Sequence, residues 1–163
     1  TPVVGSPFAT GGQTPRAIAI DPSARFAYVS HRLTDDVAVF TINGATGALT
    51  AVGSLVPVGS DPHDLTVDPS GRFVYVANAS GNTISAYTLN GTTGALTPLA
   101  TAGTVAARTG PSSLALVTGA TPVQVTPKFS YVANQTSNNV SAYTVDSASG
   151  ALARSASTSR NSL

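Results

Sequence analysis

One phrase recurs along this chain and limits what it can fold into. Asp21-Pro22-Ser23-Ala24-Arg25-Phe26-Ala27-Tyr28-Val29 returns 47 residues later as Asp68-Pro69-Ser70-Gly71-Arg72-Phe73-Val74-Tyr75-Val76. A third, eroded copy reads Thr126-Pro127-Lys128-Phe129-Ser130-Tyr131-Val132. Behind each copy comes a β-branched and aromatic run, at residues 37–42, 84–89 and 140–145. Each run leads into a small turn phrase: Thr46-Gly47-Ala48-Leu49, Thr93-Gly94-Ala95-Leu96 and Ser149-Gly150-Ala151-Leu152. A repeat of this length, built from short apolar runs and turns, predicts a stacked or radial all-β array.

The second repeat reads most clearly. Residues 64–68 alternate polar and apolar, the period of a half-buried strand. Asp68-Pro69-Ser70-Gly71 is a turn, with Pro69 presetting φ. Residues 72–77 are apolar on both faces, as in a strand sandwiched between neighbours. Asn78-Ala79-Ser80-Gly81-Asn82 makes a second turn cluster, residues 83–89 a third strand and residues 95–100 a fourth. Four antiparallel strands in one repeat describe a β-propeller blade. The fold class is therefore all-β, a single partial or half propeller of three blades plus one outer strand. Residues 1–12 read as the outer strand of a preceding blade, because Val4-Gly5-Ser6 corresponds to Val52-Gly53-Ser54. The blades are 13–60, 61–109 and 110–157, and 158–163 is a frayed tail. The third blade carries an insertion, Thr118-Gly119-Ala120-Thr121-Pro122, and a polar final strand at 151–159.

Closed propellers hold about 4–8 blades, so three leave apolar faces and strand edges unpartnered. Two partners answer this: further blades of a longer chain, or a second copy. In the second case residues 1–10 of one copy complete the third blade of the other, giving a six-bladed ring.

Composition removes several function classes. Charged residues make up only 9% and the net charge is +1, so no basic field exists to hold nucleic acid. No apolar run is long enough to span a membrane. Cysteine is absent, which excludes disulfides and thiolate metal sites. Asp35-Asp36 falls short of the six to eight oxygens that calcium takes and reads as a solvated hairpin turn. No metal and no cofactor is expected. The sequons at Asn78, Asn90, Asn134 and Asn139 read as turn chemistry. A charge-poor surface rich in Ser, Thr and Asn suits an extracellular, cell-surface or periplasmic protein.

Two phrases, Asp-Pro-Ser-Gly-Arg-Phe-Val-Tyr-Val-Ala-Asn at 68–78 and Gly-Ser-Pro-Phe-Ala-Thr-Gly-Gly at 5–12, resemble the lactonase-type β-propellers. That family includes 6-phosphogluconolactonase-like proteins, muconate-cyclising enzymes and the Tyr-Val-Thr-Asn repeat proteins of microbial surfaces. The resemblance implies a channel lined by a Gly-Pro-Arg-His phrase at the entry to an inner strand and by Asn-Glu after the Tyr-Val strand. The first phrase appears here as Thr14-Pro15-Arg16-Ala17, Asp61-Pro62-His63-Asp64 and Gly110-Pro111-Ser112-Ser113. Arg16 matches the arginine, Ala17 stands at the histidine, and His63 takes the arginine position. The second phrase appears as Ser30-His31-Arg32, Ala77-Asn78-Ala79 and Ala133-Asn134-Gln135, without the glutamate.

The candidate catalytic residues are thus His63, Asp64 and Arg16. The candidate ligand-binding residues are His31, Arg32, Asn78 and Asn134. Neighbours in a strand point to opposite faces, so His63 and Asp64 do not form a direct acid–base dyad. The plainer reading of His63 is an inter-blade residue held by a turn. His31 stands where Asn78 and Asn134 stand and shares their expected turn-capping role. Arg25 and Arg72 are expected to pair with Asp21 and Asp68 across a turn. The main functional expectation is a secreted or surface module that binds or scaffolds a small-molecule or carbohydrate ligand, given the altered channel phrases. The alternative is a lactonase-like hydrolase of a sugar-acid or cyclic-ester substrate.

Overall fold

Strand-forming runs and turns alternate along the whole described chain, and the described residues hold no helix. The structure, a computed structural model, describes residues 2–99, 103–118, 127–146 and 148–154. The first antiparallel sheet contains β1 (Pro15–Ile20), β2 (Phe26–His31), β3 (Asp36–Ile42) and β4 (Leu49–Ala51), with β5 (Val56–Pro57) also on β3. The second contains β6 (Pro62–Val67), β7 (Phe73–Asn78) and β8 (Thr83–Leu89), with β9 (Leu96–Pro98) and β10 (Thr104–Ala106) both on β8. The third runs β11 (Pro111–Thr118), β12 (Pro127–Asn134), β13 (Asn139–Val145) and β14 (Leu152–Arg154). These are three propeller blades, as the repeat requires.

The second sheet packs between the other two. Phe26, Tyr28, Val37 and Val39 of sheet one meet Leu65, Val74, Val76 and Tyr87 of sheet two. Phe73, Tyr75, Ile84 and Ala86 then meet Leu114, Val132, Tyr143 and Val145 of sheet three. Because β2 and β7 each lie in the middle of a sheet, all six residues of both strands are buried. That is why their sequences lack polar alternation.

The outer edge of each blade is built in two pieces. On β3, β4 pairs with Phe40–Ile42 and β5 with Asp36 and Val37. On β8, β9 and β10 divide the strand in the same way. On β13, β14 pairs with Tyr143–Val145, and among the described residues nothing pairs with the outer edge at 139–142. Within 1–12, expected to hold an outer strand, the described residues 2–12 show turns and bends and no ladder. Such a strand exists only against a third strand, and β3 and β8 already carry their own outer pieces. Most of the insertion at 118–122 and the tail at 158–163 lie outside the described residues, as does most of the polar final strand.

The repeated turn has a definite mechanism. Asp21 Oδ1 accepts the backbone N–H groups of Arg25 (2.8 Å) and Phe26 (2.7 Å), while Oδ2 accepts Ser23 N–H (3.0 Å) and the Ser23 hydroxyl. Asp68 repeats this with Arg72 (2.7 Å), Phe73 (2.6 Å) and Ser70 (3.0 Å). Burial pushes the Asp21 carboxyl up, but the bonds from Ser23, Phe26 and Arg25 outweigh it and hold the group below its ordinary value. The expected Arg–Asp turn pairs are therefore replaced, since backbone donors already saturate both carboxylates. Arg25 instead lies over the Phe26 ring, 5.0 Å from its centroid, and donates to the carbonyls of Gly91 and Thr92 in the next blade. Arg72 likewise covers Phe73 at 5.2 Å and reaches Ala148 O at 3.2 Å. The cation of the repeat clasps one blade to the next.

Candidate active site

Each blade enters its inner strand through a residue in the left-handed region followed by proline. Thr14, Asp61 and Gly110 have φ of 56°, 59° and 68° and precede Pro15, Pro62 and Pro111. A register shift then separates Pro15 from Ala17, Pro62 from Asp64 and Pro111 from Ser113. This bulge aims the intervening side chains, Arg16, His63 and Ser112, out of the ladder. All three line one open recess of about 580 Å³, together with Asn134 and Gln135. Arg16 is exposed and makes no ion pair among the described residues.

His63 also lines a second recess of about 460 Å³, shared with Arg32, Asp61, Ser80 and Gln135. Its hub is Asp61. Arg32 Nε donates to Asp61 Oδ1 at 2.7 Å and Ser80 Oγ to Oδ2 at 2.9 Å, and His63 Nε2 stands 3.3 Å from Oδ1. Burial pushes the Asp61 carboxyl up; the hydrogen bonds from Arg32 and Ser80 and the charges of His63 and Arg32 overcome this and hold it below 3.8. An ionised Asp61 beside His63 Nε2 favours the tautomer that carries its proton there, which makes Nδ1 the acceptor nitrogen. From sequence alone, Asp61 carries no role beyond its place in the Asp61-Pro62-His63-Asp64 phrase. The available signal was its place before Pro62, two residues from His63.

Of the other predicted site residues, Arg32 and Asn134 line these recesses, and Asp64, Asn78 and His31 do not. Asp64 points away from His63, as strand alternation requires. Its Oδ1 accepts Leu65 N–H at 2.9 Å and its Oδ2 accepts Leu114 N–H of the next blade at 2.7 Å, so it staples two inner strands. Asn78 is fully buried and lines neither recess; its Nδ2 donates to Thr83 Oγ1 (3.1 Å) and Ser85 Oγ (2.9 Å). Asn134 donates in the same way to Asn139 Oδ1 (3.0 Å) and Ser141 Oγ (2.9 Å). His31 is fully buried at the equivalent place, with Nδ1 2.6 Å from Asp36 Oδ1. These three residues are strand-end core groups, and the left-handed turn positions belong to Asp35, Asn82 and Asn138 instead. Asp36 is likewise buried rather than solvated. Partners within the blade serve one end of each side chain, while His31 Nε2, Asn78 Oδ1 and Asn134 Oδ1 are buried without a partner among the described residues. Among the described residues no group of His, Cys, Asp or Glu could hold a metal ion. No described helix is long and apolar enough to cross a membrane.

Comparison with known proteins now decides the family. The model of the seven-bladed β-propeller lactonases matches residues 4–110, roughly two thirds of the chain. The chain belongs to the lactonase family of seven-bladed β-propellers. Among solved structures, this lactonase-family chain is similar to a periplasmic gluconolactonase of Pseudomonas aeruginosa, with 24% identity and a TM-score of 0.74 over 86% of this chain and 38% of that one. An inferred 6-phosphogluconolactonase of Bacteroides uniformis gives 21% identity and a TM-score of 0.73, covering 86% and 38%. A protein from Lactobacillus plantarum gives 23% and 0.73, covering 87% and 40%. The chain thus spans about two fifths of the length of these structures. No curated protein matches it by sequence.

Proposed function

We propose that this chain supplies part of a lactonase-type hydrolase acting on a sugar-acid lactone. The observation that carries this reading is that the family match at 4–110 contains the whole cluster of Arg16, Arg32, Asp61 and His63. It favours hydrolysis over the expectation of a binding or scaffolding module. The chemistry is ester cleavage: water adds to the ring carbonyl, the carbonyl carbon–ring oxygen bond breaks, and an open hydroxy acid leaves. His63 takes the proton of the attacking water at Nδ1 and returns it to the ring oxygen as that bond breaks, with Asp61 beside Nε2. Arg16 faces the oxyanion that develops on the carbonyl, and Arg32 adds cationic charge for an acidic substrate. No cofactor is needed for these steps. The charge-poor surface and the periplasmic relative support a periplasmic or extracellular placement.

The test is hydrolysis of gluconolactone and of its 6-phosphate above the uncatalysed rate. His63→Ala should lower kcat by about 10²–10⁴-fold, the usual contribution of a positioned acid–base group. Arg16→Ala should lower kcat/KM as well. Turnover that survives both substitutions would remove this cluster from the mechanism and return the chain to the binding reading.

A further inference from the structure

The hairpin between β2 and β3 differs from its two counterparts in one consistent respect. It carries ionisable side chains at four positions, His31, Arg32, Asp35 and Asp36. In the second blade these positions are Asn78, Ala79, Asn82 and Thr83, and in the third they are Asn or Gln at 134, 135, 138 and 139. The backbone does not require the difference. Asp35, Asn82 and Asn138 are all left-handed, with φ of 55°, 52° and 48°. What does differ is the neighbour each hairpin meets. The first abuts the entry to β6, which carries Asp61 and His63. The second abuts the entry to β11, where Gly110 and Ser112 stand instead.

The same contact is made at both places, and it is tighter at the first. Asp35 Oδ1 accepts Asp61 N–H at 2.7 Å, and Asn82 Oδ1 accepts Gly110 N–H at 3.0 Å. A carboxylate is the stronger acceptor, which agrees with the shorter distance. It also stands where a strong acceptor is needed. Gly110 adopts its φ of 68° without steric cost, whereas Asp61 carries a Cβ into a φ of 59°, which L side chains resist. Ala79 N–H holds the Asp61 carbonyl at 2.8 Å, so the residue is fixed on both sides. Its carboxylate then receives Arg32 Nε and Ser80 Oγ and lies beside His63 Nε2. The first hairpin thus grips Asp61 twice, at the amide through Asp35 and at the carboxylate through Arg32. Its base is anchored by the buried pair of His31 Nδ1 and Asp36 Oδ1, 2.6 Å apart.

We infer that Asp35 is a positioning residue, which holds Asp61 in the left-handed conformation that brings its carboxylate to His63. This role rests on the hydrolase reading above and names the residue that keeps its acid–base pair in place. The charge of Asp35 by itself acts in the other direction, because a second carboxylate nearby disfavours ionisation of Asp61. The sign of the response at Asp61 therefore separates positioning from charge.

Two variants test this. Asp35→Gly removes the acceptor and suits a φ of 55°, so the hairpin backbone is not strained. Asp35→Asn keeps an acceptor on a left-handed residue, as Asn82 does. Among the described residues the charged groups that face Asp61 are Arg32, His63 and Asp35. A ¹³C NMR titration of the Asp61 carboxyl reads their combined effect. In Asp35→Gly the midpoint should rise toward 3.8, as the Arg32 and Ser80 bonds loosen. In Asp35→Asn it should stay low or fall, since the bond is kept and only the charge is lost. Gluconolactone hydrolysis should follow, with kcat down about ten- to a hundredfold in Asp35→Gly, the scale of a misplaced catalytic group, and largely restored in Asp35→Asn. A midpoint that falls or stays in Asp35→Gly overturns the proposal, as does a wild-type kcat in that variant. A wild-type chain without turnover sinks the hydrolase reading by itself, and the Asp61 midpoint still decides whether Asp35 positions that carboxylate.

Discussion

Blades one and two carry the same phrases in the same order, yet they resolve one buried position in opposite ways. At the end of β2 the side chain is His31, and it faces Asp36 across the hairpin at 2.6 Å. At the end of β7, 47 residues on, it is Asn78, facing Thr83 and Ser85. Each set is closed over by a glycine of the segment that leads into the blade, Gly12 over His31 and Gly59 over Asn78. Blade three follows the second solution, with Asn134, Asn139 and Ser141. The backbone therefore demands a buried polar group at this corner and accepts either an imidazole–carboxylate pair or a neutral amide–hydroxyl net. What distinguishes the two is the consequence of breaking them. A neutral net loses hydrogen bonds, whereas the pair strands a carboxylate in the core.

The largest expected effect comes from that carboxylate. His31→Ala leaves Asp36, 8% exposed, without its partner and should cost about 3–5 kcal/mol. Asn78→Ala removes two hydrogen bonds but leaves only hydroxyls behind and should cost about 1–3 kcal/mol. Urea unfolding at neutral pH measures both, and equal losses would mean that Asp36 finds water. The comparison sharpens with the triple change His31→Asn, Asp36→Thr and Ala38→Ser, which grafts the second blade's set into the first. Replacing a buried imidazole–carboxylate pair by a well-packed neutral set should be near neutral, so stability should return to within about 1 kcal/mol of wild type. A triple variant as weak as His31→Ala would show that the two corners are not interchangeable.

Next in size come the glycines. A Cβ at Gly12 would lie 2.4 Å from the His31 ring, and at Gly59 2.6 Å from Asn78 Nδ2. Neither side chain can swing away, because both are fully buried. Gly12→Ala and Gly59→Ala should each cost about 1–3 kcal/mol, as overpacking does. Gly44, which has open space around it, serves as the control and should change little as Gly44→Ala. Thermal unfolding of the three variants decides the order, and a neutral Gly12→Ala would show that the segment leading into the blade is loosely held.

The repeat made the blades legible because strand order, turn chemistry and burial all recur with it. Phe73-Val74-Tyr75-Val76 announces a doubly buried strand by composition alone, and the structure places it so. The corners were less legible. Asn78 follows a strand and precedes a Ser-Gly pair, which reads as a turn cap, but the hairpin begins one residue later and encloses it. The Arg25–Asp21 pair was misread because adjacency in sequence says nothing of a carboxylate already filled by backbone donors. Asp61 stayed hidden for a related reason: its partners Arg32 and Ser80 lie 29 and 19 residues away, and only the bulge after Pro62 brings His63 beside them.

The smallest effect concerns that exposed counterpart of the buried pair, Arg32 with Asp61. The Asp61 carboxyl lies below its ordinary 3.8 in the folded chain, despite the upward push of burial, chiefly through the Arg32 and Ser80 hydrogen bonds. A carboxyl with a depressed folded pKa stabilises above its unfolded value and loses that contribution as pH falls through the folded one. Arg32→Ala should therefore destabilise the chain near neutral pH and cease to matter well below 3.8. Arg32 is half exposed, so solvent screens the pair, and the loss should be no more than about 1 kcal/mol. The buried His31–Asp36 pair gives the contrast, with a cost several times larger for one broken contact of similar length. Urea midpoints of wild type and Arg32→Ala, followed from about pH 7 down through the titration of Asp61, read the difference directly. A gap that persists in acid would mean that Arg32 acts through packing rather than charge.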